Sequence, residues 1–437
     1  MKDQISIFWF RRDLRLEDNA GLFQALSFGK PVLCLFIFDR KILDKLKNHA
    51  DARVEFIHQN LITLNQELKE FGSSLLVQMG DPVEIWKKLI LQYDIVSVFI
   101  NRDFEPYARQ RDKEIEEILQ EKKISFLSSK DQVIFEKDEI VKDDGKPYTV
   151  FSPYKRKWLM ALKENSFHPY ASLGLVKSGK AKFYPSSTLA FLSLDDIGFK
   201  PSSIKFPEQD YRNILENYAE NRNFPAIPGT SRISVHLRFG TISIRKLASE
   251  GKKHSETWLS ELIWREFYFM ILWHFPRVVG NAFRPEYDRI PWRNSESDFQ
   301  KWCLGETGYP LVDAGMRELN ETGFMHNRVR MVVASFLTKH LLIDWRLGEA
   351  YFAEKLLDFE LSSNNGGWQW AAGSGVDAAP YFRIFNPYEQ EKKFDSKHEY
   401  IKRWVKEWNT GRYPLPMVEH KFARARCLDV YQKALKG

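Results

Sequence analysis

Residues 364–385 read NNGGWQWAAGSGVDAAPYFRIF, and the second half of the chain is read outward from them. Two glycines precede Trp368, and a glycine lets another group come close to the backbone. Trp368 and Trp370 stand at i and i+2 and a glycine-spaced stretch follows, so the pattern predicts a loop-like wall and not a helix interior. Such a wall suits a large flat ligand with hydrogen-bonding edges, or stacked nucleobases. Ten of the 13 tryptophans fall between positions 258 and 408, so this half holds the aromatic material.

Residues 261–275 (ELIWREFYFMILWHF) are almost wholly apolar, which predicts a buried helix. Glu261 and Arg265 interrupt it one turn apart, and Trp264 and Tyr268 share their face. Two readings stand: a polar pocket wall, or a structural Glu261–Arg265 pair under an aromatic core. Residues 312–341 read as one further helix, with Asn327, Arg330 and Met331 on one face and Arg328 on another.

The first third of the chain has a different period. Residues 5–10, 32–38, 74–77, 95–100 and 124–127 are short, strand-like apolar runs. Between them, 52–71 repeats apolar residues at helical spacing and stops at Gly72, and 107–122 is a charged helix. Near-continuous apolar strands alternating with helices predict a parallel sheet covered on both faces, a Rossmann-like α/β domain. From 142 to 209 prolines interrupt every element, which predicts a surface connector. The expected segmentation is an α/β domain at 1–135, a connecting loop at 136–209 and an all-helical domain at 210–437.

Composition narrows the partners. Lys plus Arg number 65 against 58 acids, a net charge of +7, with ten basic and four acidic residues from position 396 onward. That balance favours a polyanionic partner. Cys34, Cys303 and Cys427 are too few and too scattered for a disulfide framework or a zinc site, which points to a reducing cytoplasm. No apolar run is long enough for a membrane span. Ten histidines show no metal-ligand spacing, so no metal is expected. GLVKSGK at 174–180 imitates a phosphate loop, but Ala181 stands where a hydroxyl must reach magnesium.

The long motifs carry a resemblance. FWFRRDLRLEDNAGL (8–22), GTSRISVHLRFG (229–240), WREFY (264–268), MHNRVRM (325–331) and NNGGWQWAAGSGVDAAPYFRIFNP (364–387) resemble the photolyase/cryptochrome family. Within it they are most similar to bacterial class I cyclobutane-dimer photolyases, from about residue 5 to 410. The resemblance implies FAD in the helical domain and light-driven repair of pyrimidine dimers in DNA. The alternatives within the family are a blue-light receptor of cryptochrome type and a (6-4) photoproduct photolyase.

Carried over residue by residue, the resemblance implies FAD contacts at Tyr218, Thr230, Ser231, Arg232, Ile233, Ser234, Trp258, Arg265, Asn327, Arg330, Asp358, Glu360 and Asn364. Asp358 would pair with Arg330, and Glu360 stands where relatives commonly have Asp. Catalysis would fall to Glu261, Met331 and Asn364, and electron transfer to Trp292, Trp345 and Trp368. DNA would be met by Glu261, Trp264, Arg265, Tyr268, Asn327, Arg328, Trp370 and Gln390. The resemblance leaves room for a second, antenna chromophore near residues 101–112: methenyltetrahydrofolate, a deazaflavin, another flavin, or an empty site. Ala108 stands where folate-binding relatives carry glutamate, so its identity stays open. The expected partner is DNA containing pyrimidine dimers, bound by a cytoplasmic monomer with no membrane and no obligatory protein partner.

Overall fold

The computed structural model describes residues 3–186 and 191–436. The chain forms two compact units that interleave along the sequence. The first is Met1–Glu136, Leu162–Gln209 and Ile233–Lys252; the second is Lys137–Ala161, Asp210–Arg232 and Lys253–Gly437.

The first unit is built on a five-stranded sheet: β1 (Gln4–Phe10), β2 (Val32–Asp39), β3 (Leu76–Gly80), β4 (Asp94–Asn101) and β5 (Ser125–Ser129). All pairs are parallel and the order is β3-β2-β1-β4-β5. The apolar runs explain it, because β2 is buried at every position and so needs cover on both faces. Helices Ala52–Lys69, Pro82–Gln92 and Pro106–Glu121 alternate with the strands. Asp51 and Asp81 cap the first two by accepting from Arg53 N–H and Val83 N–H. Strand order reverses between β1 and β4, which opens a crevice at their carboxyl ends.

The expected connector is not devoid of structure. Its prolines permit a helix at Phe151–Ala161, because Pro153 sits in the first turn, where its missing N–H has no helical partner to lose. This helix packs within the second unit: Trp158 Nε1 donates to Glu266 Oε1 at 2.5 Å, and Phe151 stacks on Trp264 at 3.7 Å. Residues 162–209 group with the first unit instead. Positions 187–190 of the connector lie outside the described residues.

In the second unit the apolar helix spans Glu256–His274 and is capped by Ser255. Two expectations need correction. The single helix at 312–341 is two helices, Pro310–Thr322 and Asn327–Ser335, followed by a wider turn at Phe336–His340. Gly323 ends the first in a left-handed conformation (φ 66°), and His326 starts the second by accepting from Arg328 N–H at 3.2 Å. Residues 364–372 are not a loop either; they belong to a helix, Leu361–Ala372. What approaches the backbone there is a side chain of the protein itself. A Cβ on Gly366 would overlap the Tyr268 ring, so glycine lets this helix close on Glu256–His274. Asn365 and Gln369 fasten it by donating to Val278 O, each at 2.9 Å.

Two stability measurements follow. Gly366→Ala puts a methyl group into the Tyr268 ring, and overpacking of this kind costs about 1–3 kcal/mol; thermal unfolding should show a clear drop in Tm, while Gly367→Ala, which meets nothing within 4 Å, should show none. His326 is buried, its Nε2 has no partner among the described residues, and its pKa falls from 6.5 to about 4 through burial first, then the Arg330, Arg328, Arg232 and Arg222 charges. Between pH 6.5 and about 4 the unfolded chain binds a proton there that the folded chain refuses, so stability falls as pH falls through that window. His326→Asn keeps a cap acceptor and removes the titration. Urea midpoints measured across this window should therefore decline less steeply in the variant.

Candidate functional site

The polar groups of the Glu256–His274 helix do not pair with each other. Glu261 Oε1 accepts from Arg222 Nη1 at 2.5 Å, and Arg265 Nε lies 3.1 Å from Glu360 Oε2. The structural-pair reading of Glu261 with Arg265 is thereby replaced by two separate ion pairs. The first is part-exposed, while the second is well buried and ties this helix to the start of Leu361–Ala372. Arg222 also lies over the Tyr218 ring, 5.4 Å from its centroid. Burial and the Glu261 charge raise the Tyr218 phenol well above its usual range.

Asn364 projects from the Leu361–Ala372 helix. Its Nδ2 donates both hydrogens to one residue: to Glu349 O at 3.0 Å and to Glu349 Oε1 at 2.8 Å. Burial raises the Glu349 carboxyl and the Asn364 hydrogen bond only partly offsets this. The amide oxygen of Asn364 keeps its accepting capacity, with no partner among the described residues. Arg330 donates to Met325 O at 2.7 Å and to Asp358 at 3.0 Å, so the expected Arg330–Asp358 pair is formed. Asn327 is exposed and Met331 half-buried on the same short helix. Arg328 does not point away from Met331: its Nη1 lies 3.8 Å from Met331 Sδ.

The aromatic residues sort by depth. Trp264 is half-buried, with one face stacked on Phe151 at an interplanar angle of 9° and Tyr268 tilted against it at 5.7 Å. Trp370 is half-buried beside Phe385. Trp258 is buried and stacks on Tyr211 at 5.5 Å. Trp368 and Trp345 are each 2% exposed within one core cluster, and Trp292 packs against that cluster while partly exposed. Gln390 is half-buried, with no partner for Oε1 among the described residues.

The segment 218–234 divides between the units. Thr230, Ser231 and the exposed Arg232, which adopts φ 52° and reaches toward Glu318 at 3.8 Å, belong to the second unit. The Thr230 and Ser231 hydroxyls make no hydrogen bond among the described residues. Ile233 and Ser234 begin the helix Ser234–Phe239, assigned to the first unit. In the first unit, Arg11 pairs with Asp112 at 2.5 Å, the Arg111 guanidinium lies 4.8 Å from the Trp9 ring, and Tyr107 O–H donates to Asp39 at 2.6 Å. Ala108 is buried. Among the described residues no cluster of His, Cys, Asp and Glu could hold a metal.

The second unit thus offers unengaged hydroxyls, an amide oxygen, three arginines already neutralised by carboxylates, and broad aromatic faces. This donor set fits a ligand with phosphates, a polyhydroxyl chain and a flat heteroaromatic ring, which is the chemistry of FAD. Sequence reasoning missed three residues that hold the set together: Arg222, Glu349 and Phe151. Arg222 had a signal, since it stands four residues after Tyr218; the others make contacts that no local period announces.

A model of DNA photolyase matches residues 6–171, and a model of the FAD binding domain of DNA photolyase matches residues 258–411. A deoxyribodipyrimidine photo-lyase of Escherichia coli K12 is 38% identical over 99% of both chains. A solved class III photolyase of Agrobacterium tumefaciens superposes with a TM-score of 0.87 at 33% identity, over 100% of this chain and 99% of its own. An archaeal photolyase of Sulfolobus tokodaii, described with two FAD molecules, gives 0.82 at 34% identity over 98% and 99%. With likeness of this extent in both sequence and fold, the chain belongs to the photolyase/cryptochrome family.

Proposed function

We propose that this chain is a deoxyribodipyrimidine photo-lyase that repairs cyclobutane pyrimidine dimers in DNA, using light absorbed by FAD. The observation that carries the reading is the Asn364–Glu349 contact. With both amide hydrogens committed to Glu349, Asn364 can only accept from a ligand, which suits a protonated ring nitrogen and brings no competing charge. The near full-length likeness to photo-lyases supports the same reading. Thr230, Ser231, Arg232, Ile233, Ser234 and Tyr218 would hold the phosphates and ribityl chain, and Trp258, Arg265, Asn327, Arg330, Asp358 and Glu360 the remainder of the cofactor.

When bound, reduced FAD would supply the redox power for light-driven opening of the dimer. The chain's own part is position and electrostatics. Glu261 meets a pyrimidine edge, and Arg222 at 2.5 Å offsets its charge, so the carboxylate can sit beside a base that gains negative charge. Trp264 offers one face to an extruded base because Phe151 covers the other. Trp370 and Tyr268 extend this apolar wall, and Met331 fills the floor. A dimer is cheaper to flip than intact bases because its stacking is already damaged. Arg328 and Gln390 touch the backbone, which positions without reading sequence.

Trp368, Trp345 and Trp292 run from the core to a partly exposed position, which supports a route for electrons to oxidised flavin. For a second chromophore, the Ala108 methyl offers no hydrogen bond where folate-binding relatives carry glutamate, which favours a flavin-type ring. The reading includes a monomer and a reducing compartment, the latter supported by three cysteines that are all free and buried. Asn364 weighs against a signalling receptor, where plant cryptochromes carry an acid, and Asn327 and Met331 weigh against a histidine-centred (6-4) site.

Two substitutions test the assignment. Glu261→Ala should weaken dimer binding by about 1–3 kcal/mol and lower the repair yield per photon in the saturated complex, while Gln, whose side-chain oxygen can still accept from a base N–H, retains more of both. An unchanged yield in FAD-loaded Glu261→Ala would leave Glu261 only its bond to Arg222. Trp368→Phe should stop photoreduction of oxidised flavin but spare repair by chemically reduced enzyme, as followed by flavin absorbance under continuous light. Normal photoreduction would make Trp368 a core residue and nothing more.

A further inference from the structure

Asn223 follows the short helix Tyr218–Asn221 and sits beside Arg222. Its Oδ1 accepts from Arg328 Nη2 at 2.6 Å. The Arg328 guanidinium also lies over the Phe394 ring at 4.4 Å, and Phe394 in turn packs edge-on against Phe224 at 6.3 Å. Among the described residues Arg328 has no carboxylate partner, unlike Arg222, Arg265 and Arg330. Burial and the nearby Arg222 and Arg383 charges disfavour its protonated form, so an unpaired cation here is costly to keep. An aspartate at 223 would relieve that cost by forming an ion pair. Asparagine fixes the same geometry with a neutral acceptor and leaves the whole positive charge available.

We propose that Asn223 is a positioning residue for DNA binding: it holds the Arg328 guanidinium in one orientation, without neutralising it, for a phosphate of the lesion-bearing strand. The inference rests on the reading of Arg328 as a DNA contact. Neutralising one phosphate changes the slope of log K against log salt by about one, so charge and orientation can be measured separately.

The experiment uses full-length, FAD-loaded protein and fluorescence anisotropy on a duplex with one thymine dimer, titrated across a range of salt. Asn223→Ala should weaken binding by about tenfold, the loss of a hydrogen bond to a charged group, with FAD content at the wild-type level. Asn223→Asp keeps the hydrogen bond, so it should fold normally and yet lose about one unit of salt slope. Arg328→Ala should lose the same unit, and adding Asn223→Ala to it should cost nothing further. A wild-type slope in Asn223→Asp, or additive losses in the double variant, would overturn the inference. If Arg328→Ala binds DNA as wild type does, the reading of Arg328 as a DNA contact falls and the inference falls with it. If Arg328→Ala is impaired while both Asn223 variants bind normally, only the role of Asn223 falls.

Discussion

The second unit depends on one close approach. Helix Leu361–Ala372 meets helix Glu256–His274 where Gly366 leaves room for the Tyr268 ring, and the buried Arg265–Glu360 pair locks the two in register. A buried pair contributes little net stability, but losing either partner strands a charge, so it strongly selects one arrangement over its neighbours. That register sets Glu261, Trp264 and Tyr268 of one helix in fixed relation to Asn364 and Trp368 of the other, which themselves meet Glu349 and Gly348. The site residues are therefore placed by rigid elements, which suits a reaction whose protein contribution is placement and charge.

Charge pairing divides the arginines by task. Arg265 and Arg330 are neutralised by Glu360 and Asp358, and Arg222 by Glu261, so each can lie near a ligand without dominating its field. Arg328 is the exception, held by a neutral amide and an aromatic face. Glu349 adds a different device. Burial favours its protonated form, and its hydrogen bonds turn a two-sided amide at Asn364 into an acceptor. Sequence supplies the groups; their second contacts decide which chemistry each presents.

Much of the first unit was legible. Five apolar runs became five parallel strands within three residues of the expected ends, because a strand buried on both faces must be apolar along its length. The second unit was harder. Gly366 and Trp368 looked like loop material, since glycine lowers helix propensity and nothing local reveals that Tyr268 needs the space. Gly323, by contrast, was a readable helix stop inside the supposed 312–341 helix. Among the site residues, Arg330–Asp358 was anticipated, but the partners of Glu261, Arg265 and Asn364 were not. Those contacts join positions far apart in sequence, as with Arg222 and Glu261, and no periodicity carries that information.

The central claim is the reaction itself. The most direct measurement incubates purified, FAD-loaded and chemically reduced protein with two oligonucleotides, one holding a cyclobutane thymine dimer and one a (6-4) photoproduct, in blue light and in darkness. Intact thymines are then counted by chromatography. The account predicts restoration of the cyclobutane dimer in light only, with the (6-4) product unchanged. A light-exposed, flavin-loaded enzyme that binds the cyclobutane dimer and leaves it intact, or that restores only the (6-4) product, would contradict it.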